Sequence, residues 1–107
     1  MKPSIAFIGG GNMARSIIGG LLKQGFDKSS LHVSEPHAPT REALARELAI
    51  DVGDDNLQVA GNGDVWLFAV KPQVMKAVCA QLRGLAQQRR PLILSIAAGI
   101  TGGQLDA

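Results

Sequence analysis

Ile5-Ala6-Phe7-Ile8 is an unbroken apolar run, two of its residues β-branched, and it passes directly into Gly9-Gly10-Gly11. Such a run reads as a buried strand. Met13-Ala14-Arg15-Ser16-Ile17-Ile18 then begins a helical pattern. Strand, glycine turn and helix in that order leave few folds open, because Gly9, Gly11 and Ala14 fall on the G-x-G-x-x-G/A spacing of a dinucleotide-binding βαβ unit. Gly9 permits the tight turn out of the strand. Gly11 lacks the Cβ that would hold a pyrophosphate away from the backbone. Ala14 is small enough for the helix to pack closely on the sheet. Amides at the helix start then face the phosphates, where the helix dipole also favours negative charge. A glycine-rich turn after a strand is common by itself; here a helix follows it, and a second strand comes at the right distance.

The first helix spans residues 12–24. Met13, Ile17 and Leu21 stand four apart, as do Ile18 and Leu22, which makes one side apolar over three turns. Gly19-Gly20 inside it costs about 1 kcal/mol per glycine relative to alanine, which predicts a backbone or helix packed closely there. Gly25 is placed to end the helix. Leu31-His32-Val33-Ser34 reads as the second strand, and Pro39 suits the first turn of a second helix that continues through Leu44 and Leu48. Ile50-Asp51-Val52 is a short third strand, and Asp54 or Asp55 caps a weak helix through Val59-Ala60. Val65-Trp66-Leu67-Phe68-Ala69-Val70 has the continuous apolar character of a parallel strand covered on both faces. Pro72 opens a long helix whose apolar face carries Val74, Met75, Val78, Cys79, Leu82, Leu85 and Ala86, and this places Cys79 in the core. Leu92-Ile93-Leu94-Ser95-Ile96 is a fifth strand. Strands alternating with helices predict an α/β fold, a doubly wound parallel sheet of Rossmann type with right-handed crossovers.

The length, 107 residues, suits one domain, residues 1–107. A formal charge of +2, with Phe7, Phe26, Phe68 and Trp66 as the aromatic residues, argues against nucleic acid as a partner. One cysteine, Cys79, excludes an internal disulfide and any multi-cysteine metal site, and no metal-ligand spacing is visible. No signal-peptide pattern opens the chain, and no apolar stretch approaches the ~20 residues of a membrane span. The expectation is a cytoplasmic protein that engages no membrane.

In open α/β sheets the ligand lies outside the carboxyl ends of the strands. That rule selects Gly9-Gly10-Gly11-Asn12-Met13 for the pyrophosphate and Ser34-Glu35-Pro36 for the adenosine ribose. Ala69-Val70-Lys71-Pro72 and Ala97-Ala98-Gly99 fall on the nicotinamide side. A carboxylate at Glu35 accepts from the 2′-hydroxyl of NAD and repels the 2′-phosphate of NADP. Ser34, helped by Arg41, would instead donate to that phosphate, and a third reading leaves Glu35 a solvated turn residue. Lys71 is the strongly basic group at the reaction edge; backbone and ribose contacts there are favoured over proton donation to a substrate. His32 and His37 fit structural places better than catalytic ones.

With these stretches in hand, the chain resembles pyrroline-5-carboxylate reductases. Ile8-Gly9-Gly10-Gly11-Asn12-Met13-Ala14, Ala69-Val70-Lys71-Pro72-Gln73 and Ser95-Ile96-Ala97-Ala98-Gly99-Ile100-Thr101 look like that family's motifs, in its order and spacing. The resemblance implies reduction of 1-pyrroline-5-carboxylate to L-proline with NADP or NAD as the coenzyme, the last step of proline biosynthesis. It also implies that Gly10, Asn12 and Met13 hold the pyrophosphate, and that Glu35 or Ser34 meets the adenosine ribose. Asn56 would touch the adenosine half, with Val70, Lys71, Pro72 and Ala98 near the nicotinamide. The family continues into an all-helical domain that forms a homo-oligomer and supplies most of the imino-acid site, and such a domain is expected after residue 107. The rival readings are a β-hydroxyacid-dehydrogenase-like oxidoreductase and a stand-alone NAD(P)-sensing module.

Overall fold

The computed structural model describes residues 4–95. Five strands, β1 (Ile5–Ile8), β2 (Leu31–Ser34), β3 (Asp51–Gly53), β4 (Val65–Phe68) and β5 (Leu92–Ser95), form one sheet in the order β3-β2-β1-β4-β5. Every neighbouring pair is parallel. Between them run α1 (Asn12–Lys23), α2 (Ala38–Leu48), the short α3 (Asn56–Ala60) and α4 (Pro72–Arg89). Ile8 lies level with Ser34 on one side and Phe68 on the other, and Phe68 with Ser95, so four carboxyl ends share one edge. Two backbone bonds extend that edge by one residue: the Gly9 amide donates to the Ser34 carbonyl and the Ala69 amide to the Ile8 carbonyl, both at 2.8 Å. From β1 the chain builds outward to β2 and β3, then returns to lay β4 and β5 on the other side. The strand order therefore reverses between β1 and β4, the position where doubly wound sheets open a crevice.

Side chains alternate across the sheet and create two cores. Phe7, Leu31, Val33 and Leu67 pack with Ala14 and Ile18 of α1 and Leu44 of α2 on one face. Ala6, Ile8, Trp66 and Phe68 pack with Val59 and Ala60 of α3 and with Val78 and Leu82 of α4 on the other. Trp66 is fully buried, and its indole N–H donates to the Ala60 carbonyl at 2.9 Å, which offsets the loss of water at that group. Asp55 settles the choice of cap for α3, accepting from the amides of Leu57 at 3.0 Å and Gln58 at 3.4 Å. A cap of this kind contributes about 1 kcal/mol.

Several expectations need correction. Gly19 and Gly20 face open space, with no atom beyond their own helix backbone within 4 Å of where a Cβ would stand, so no element of the described residues packs closely there. Cys79 is exposed rather than core: Val78 and Leu82 turn into the sheet, and Cys79 sits one position round the helix from the buried stripe. Strand β4 stops at Phe68 instead of Val70, because the chain leaves the sheet after the Ala69 amide has paired with Ile8. The third strand starts at Asp51, not Ile50. Strand β5 is an edge strand with Leu92, Ile93 and Leu94 exposed. Ile96, Ala97, Ala98 and the motif around them lie outside the described residues.

Candidate functional site

A cleft of about 500 Å³ opens at the carboxyl edge, at the reversal point between β1 and β4. Gly9, Gly11, Asn12 and Met13 line it from the first turn; Glu35 and Pro36 line it from the end of β2. Ala69, Val70, Lys71 and Val74 form its wall beyond β4.

The three glycines have three different reasons to be glycine. Gly9 has φ +105°, a left-handed conformation that L side chains rarely adopt. A Cβ there would also stand 2.6 Å from the Ala69 carbonyl oxygen. Gly10 faces into the protein: its Cβ would meet the Leu44 side chain at 2.6 Å and Val33 and Glu35 at 3.2 Å. Gly11 has an ordinary extended backbone, with φ −75° and ψ −167°, and nothing within 4 Å of its Cβ position. Neither steric crowding nor a left-handed backbone demands glycine at Gly11; its place as the cap of α1 favours glycine only modestly.

Helix α1 starts at that cleft with Gly11 as its cap, no side-chain hydrogen bond to its first amides and no acidic residue in the first turn. Orphan N–H groups and the positive end of the helix dipole thus point at the space beside Gly11. Ala14 is fully buried, which lets α1 sit close on β1, while Met13 is 41% exposed at the rim. Arg15 turns away to α2, pairing with Glu47 at 3.1 Å. On the opposite wall Lys71 caps α4 ahead of Pro72, and its carbonyl accepts from Val74 at 2.9 Å and Met75 at 3.1 Å. Its exposed side chain puts a positive charge on the lining.

The half-buried Glu35 carboxylate is held from both sides. One oxygen accepts from the Gly10 amide at 2.8 Å and the other from the His37 amide at 2.9 Å. Ser34 behaves differently. Strand alternation turns its hydroxyl to the opposite face, where it is fully buried and donates to the Asn56 side-chain oxygen. The Asn56 amide nitrogen donates onward to Gln81 of α4 at 3.0 Å. Ser34 and Asn56 therefore satisfy each other beneath the edge, and neither lines the cleft. Val74 was not legible as a site residue; its signal was an exposed apolar side chain in the first turn after Pro72.

A second concavity, about 210 Å³, lies between α4 and strands β4 and β5, with Trp66, Phe68, Cys79 and Ile93 in its lining. It offers no converging polar groups and is not where chemistry would be expected. Among the described residues no cluster of His, Cys, Asp and Glu is arranged to hold a metal ion, and no helix is long and apolar enough to cross a membrane.

Comparison with known proteins places the chain by family and fold. Residues 4–99 match the family model described as NADP oxidoreductase, coenzyme F420-dependent. The pyrroline-5-carboxylate reductase of Pseudomonas aeruginosa is 49% identical over 98% of this chain, and the chain spans 38% of that relative's length. The solved structure of a pyrroline-5-carboxylate reductase from Coxiella burnetii superposes with a TM-score of 0.87 at 34% identity, covering 99% of this chain and 39% of that one. A Plasmodium falciparum pyrroline carboxylate reductase with NADP bound matches with a TM-score of 0.74 at 21% identity, over 98% of this chain and 37% of the other, which shows the shared fold.

Proposed function

The chain belongs to the NADP oxidoreductase, coenzyme F420-dependent, family, and from that premise we propose that it is the coenzyme-binding domain of a pyrroline-5-carboxylate reductase. The observation that carries this reading is the 49% identity to the Pseudomonas aeruginosa enzyme over nearly the whole chain. The cleft supports it independently, because the gap at Gly11 and the first amides of α1, to which no capping side chain bonds, suit a pyrophosphate.

In this reading the amides of Gly11, Asn12 and Met13 hold the pyrophosphate, and Gly9, Gly10 and Ala14 shape the turn that presents them. Glu35 meets the adenosine ribose and favours NAD(H) over NADP(H). Ala69, Val70, Lys71 and Val74 form one wall of the nicotinamide end, where Lys71 steadies ribose or phosphate. By family resemblance Pro72, Ala97 and Ala98 adjoin that end. When bound, the coenzyme supplies a hydride. This chain's part is to hold the nicotinamide end at an open edge, one face against the wall and the other free for an imine. The imino-acid pocket and the contacts between protomers belong to the rest of such an enzyme, which is cytoplasmic and homo-oligomeric.

Hydride transfer needs donor and acceptor held in near-attack geometry from both sides. Residues 1–107 alone are therefore expected to bind NADH weakly and to reduce 1-pyrroline-5-carboxylate no faster than buffer, followed by loss of the reduced-nicotinamide absorbance. Joined to the remaining part of the Pseudomonas aeruginosa reductase, the same residues should turn the imine over. A chimera that folds and binds NADH yet leaves the imine untouched would contradict the substrate assignment.

A further inference from the structure

All four hydrogen-bonding groups of Glu35 are used. Its amide donates to the Gly53 carbonyl at 2.8 Å, tying it to β3. Its carbonyl accepts from the Arg41 guanidinium at 3.0 Å, tying it to α2. Its carboxylate bridges the Gly10 amide, in the glycine turn, and the His37 amide, at the cap of α2. Nothing else among the described hydrogen bonds joins the glycine turn to the β2–α2 turn through a side chain. Bonds from N–H to a carboxylate are charge-assisted and about twice as strong as neutral ones. Glu35 is also in the lining of the cleft, so anything seated beside it meets the same carboxylate that holds Gly10 through one oxygen and His37 through the other.

We infer that Glu35 is a clamp on the glycine turn and that coenzyme choice works through it; this rests on the cleft being the dinucleotide site. A ribose with a free 2′-hydroxyl donates to a carboxylate oxygen while that oxygen keeps its amide partner, because each oxygen has two lone pairs. The clamp stays closed and the turn stays ordered. A 2′-phosphate has no proton to share and carries negative charge, so it seats only when Glu35 swings off Gly10. Discrimination against NADP(H) then has two sources: charge repulsion, and loss of the order that the clamp imposes on the pyrophosphate turn. Glu35 is on this account a positioning residue for Gly10 as well as a ribose ligand.

Two variants separate these sources. Glu35→Gln removes the charge but keeps an oxygen able to accept from Gly10, whereas Glu35→Ser removes both. In the coenzyme-free chain, amide hydrogen exchange at Gly10 should quicken about tenfold or more in Glu35→Ser and stay near wild type in Glu35→Gln, with the β1 amides unchanged in both. Calorimetry should show NADH binding weakened about tenfold by Glu35→Ser and less than threefold by Glu35→Gln, a step of that size matching loss of one charge-assisted hydrogen bond. The NADPH-to-NADH preference should rise in both variants, and further in Glu35→Ser. Unchanged exchange at Gly10 together with equal affinities for the two variants would overturn the clamp and leave simple repulsion. Failure of the wild-type chain to bind either dinucleotide would defeat the coenzyme reading instead, while the exchange comparison would still report on the clamp.

Discussion

Replacing Gly11 with valine is expected to remove coenzyme binding from a domain that remains folded. The Cβ position at Gly11 meets no atom within 4 Å, and its φ of −75° suits any L residue. The folding penalty is confined to the weaker capping of α1 by valine, about 1 kcal/mol. In a domain of this size that lowers the melting temperature by roughly 4–8 °C. The two γ-methyls, however, stand where a pyrophosphate must approach the amides of α1. Calorimetric titration with NADH should show affinity falling about 100-fold or more, near 2.7 kcal/mol. Binding within a factor of two of wild type would remove Gly11 from the site.

Gly9→Ala is expected to fail in the opposite way. The left-handed φ of +105° strains any side chain, and the added Cβ would lie 2.6 Å from the Ala69 carbonyl oxygen and 2.9 Å from the Val70 side chain. Backbone cannot step aside as a flexible side-chain end can. Relieving the clash requires β1 and β4 to part at the rung where Ala69 pairs with Ile8. The expected destabilisation is about 3 kcal/mol, the sum of left-handed strain and displaced packing. Urea unfolding would show it as a lower midpoint with an unchanged slope. A loss below about 1 kcal/mol would mean that the turn is far more pliant than its contacts indicate. The two variants together divide one motif into a position whose backbone and packing require glycine and a position whose glycine costs folding little to replace.

The strands were legible because buried parallel strands leave unbroken apolar runs: Ile5-Ala6-Phe7-Ile8 and Val65-Trp66-Leu67-Phe68 lie in the sheet as expected. Helix α4 was legible through Pro72 at its start and the Val78 and Leu82 stripe. Periodicity could not place Cys79, since a residue beside the stripe is buried only if a neighbour reaches that far round the helix. Gly19-Gly20 was ambiguous for a related reason. Two glycines in a helix signal tolerance of a propensity loss, and the sequence does not say what, if anything, lies opposite. At the site, the glycine turn, Glu35 and the 69–71 stretch were readable from one topological rule applied to strand ends. That rule also selected Ser34, because it counts position along the strand and ignores which face a side chain takes. Alternation would have separated them: Ser34 shares a face with Ile8 and Phe68, and Glu35, one residue later, turns the other way. The bond from Glu35 to Gly10 spans 25 positions and leaves no local trace in the sequence.

Whether the cleft between β1 and β4 takes a dinucleotide is decided by titrating NADH into the isotopically labelled chain and following each backbone amide by nuclear magnetic resonance. The largest changes should fall on residues 9–14, on Glu35 and on residues 69–71, while amides around Cys79 and Leu82 stay still. Changes centred on the apolar concavity of Trp66, Cys79 and Ile93, or no change at millimolar NADH, would contradict it.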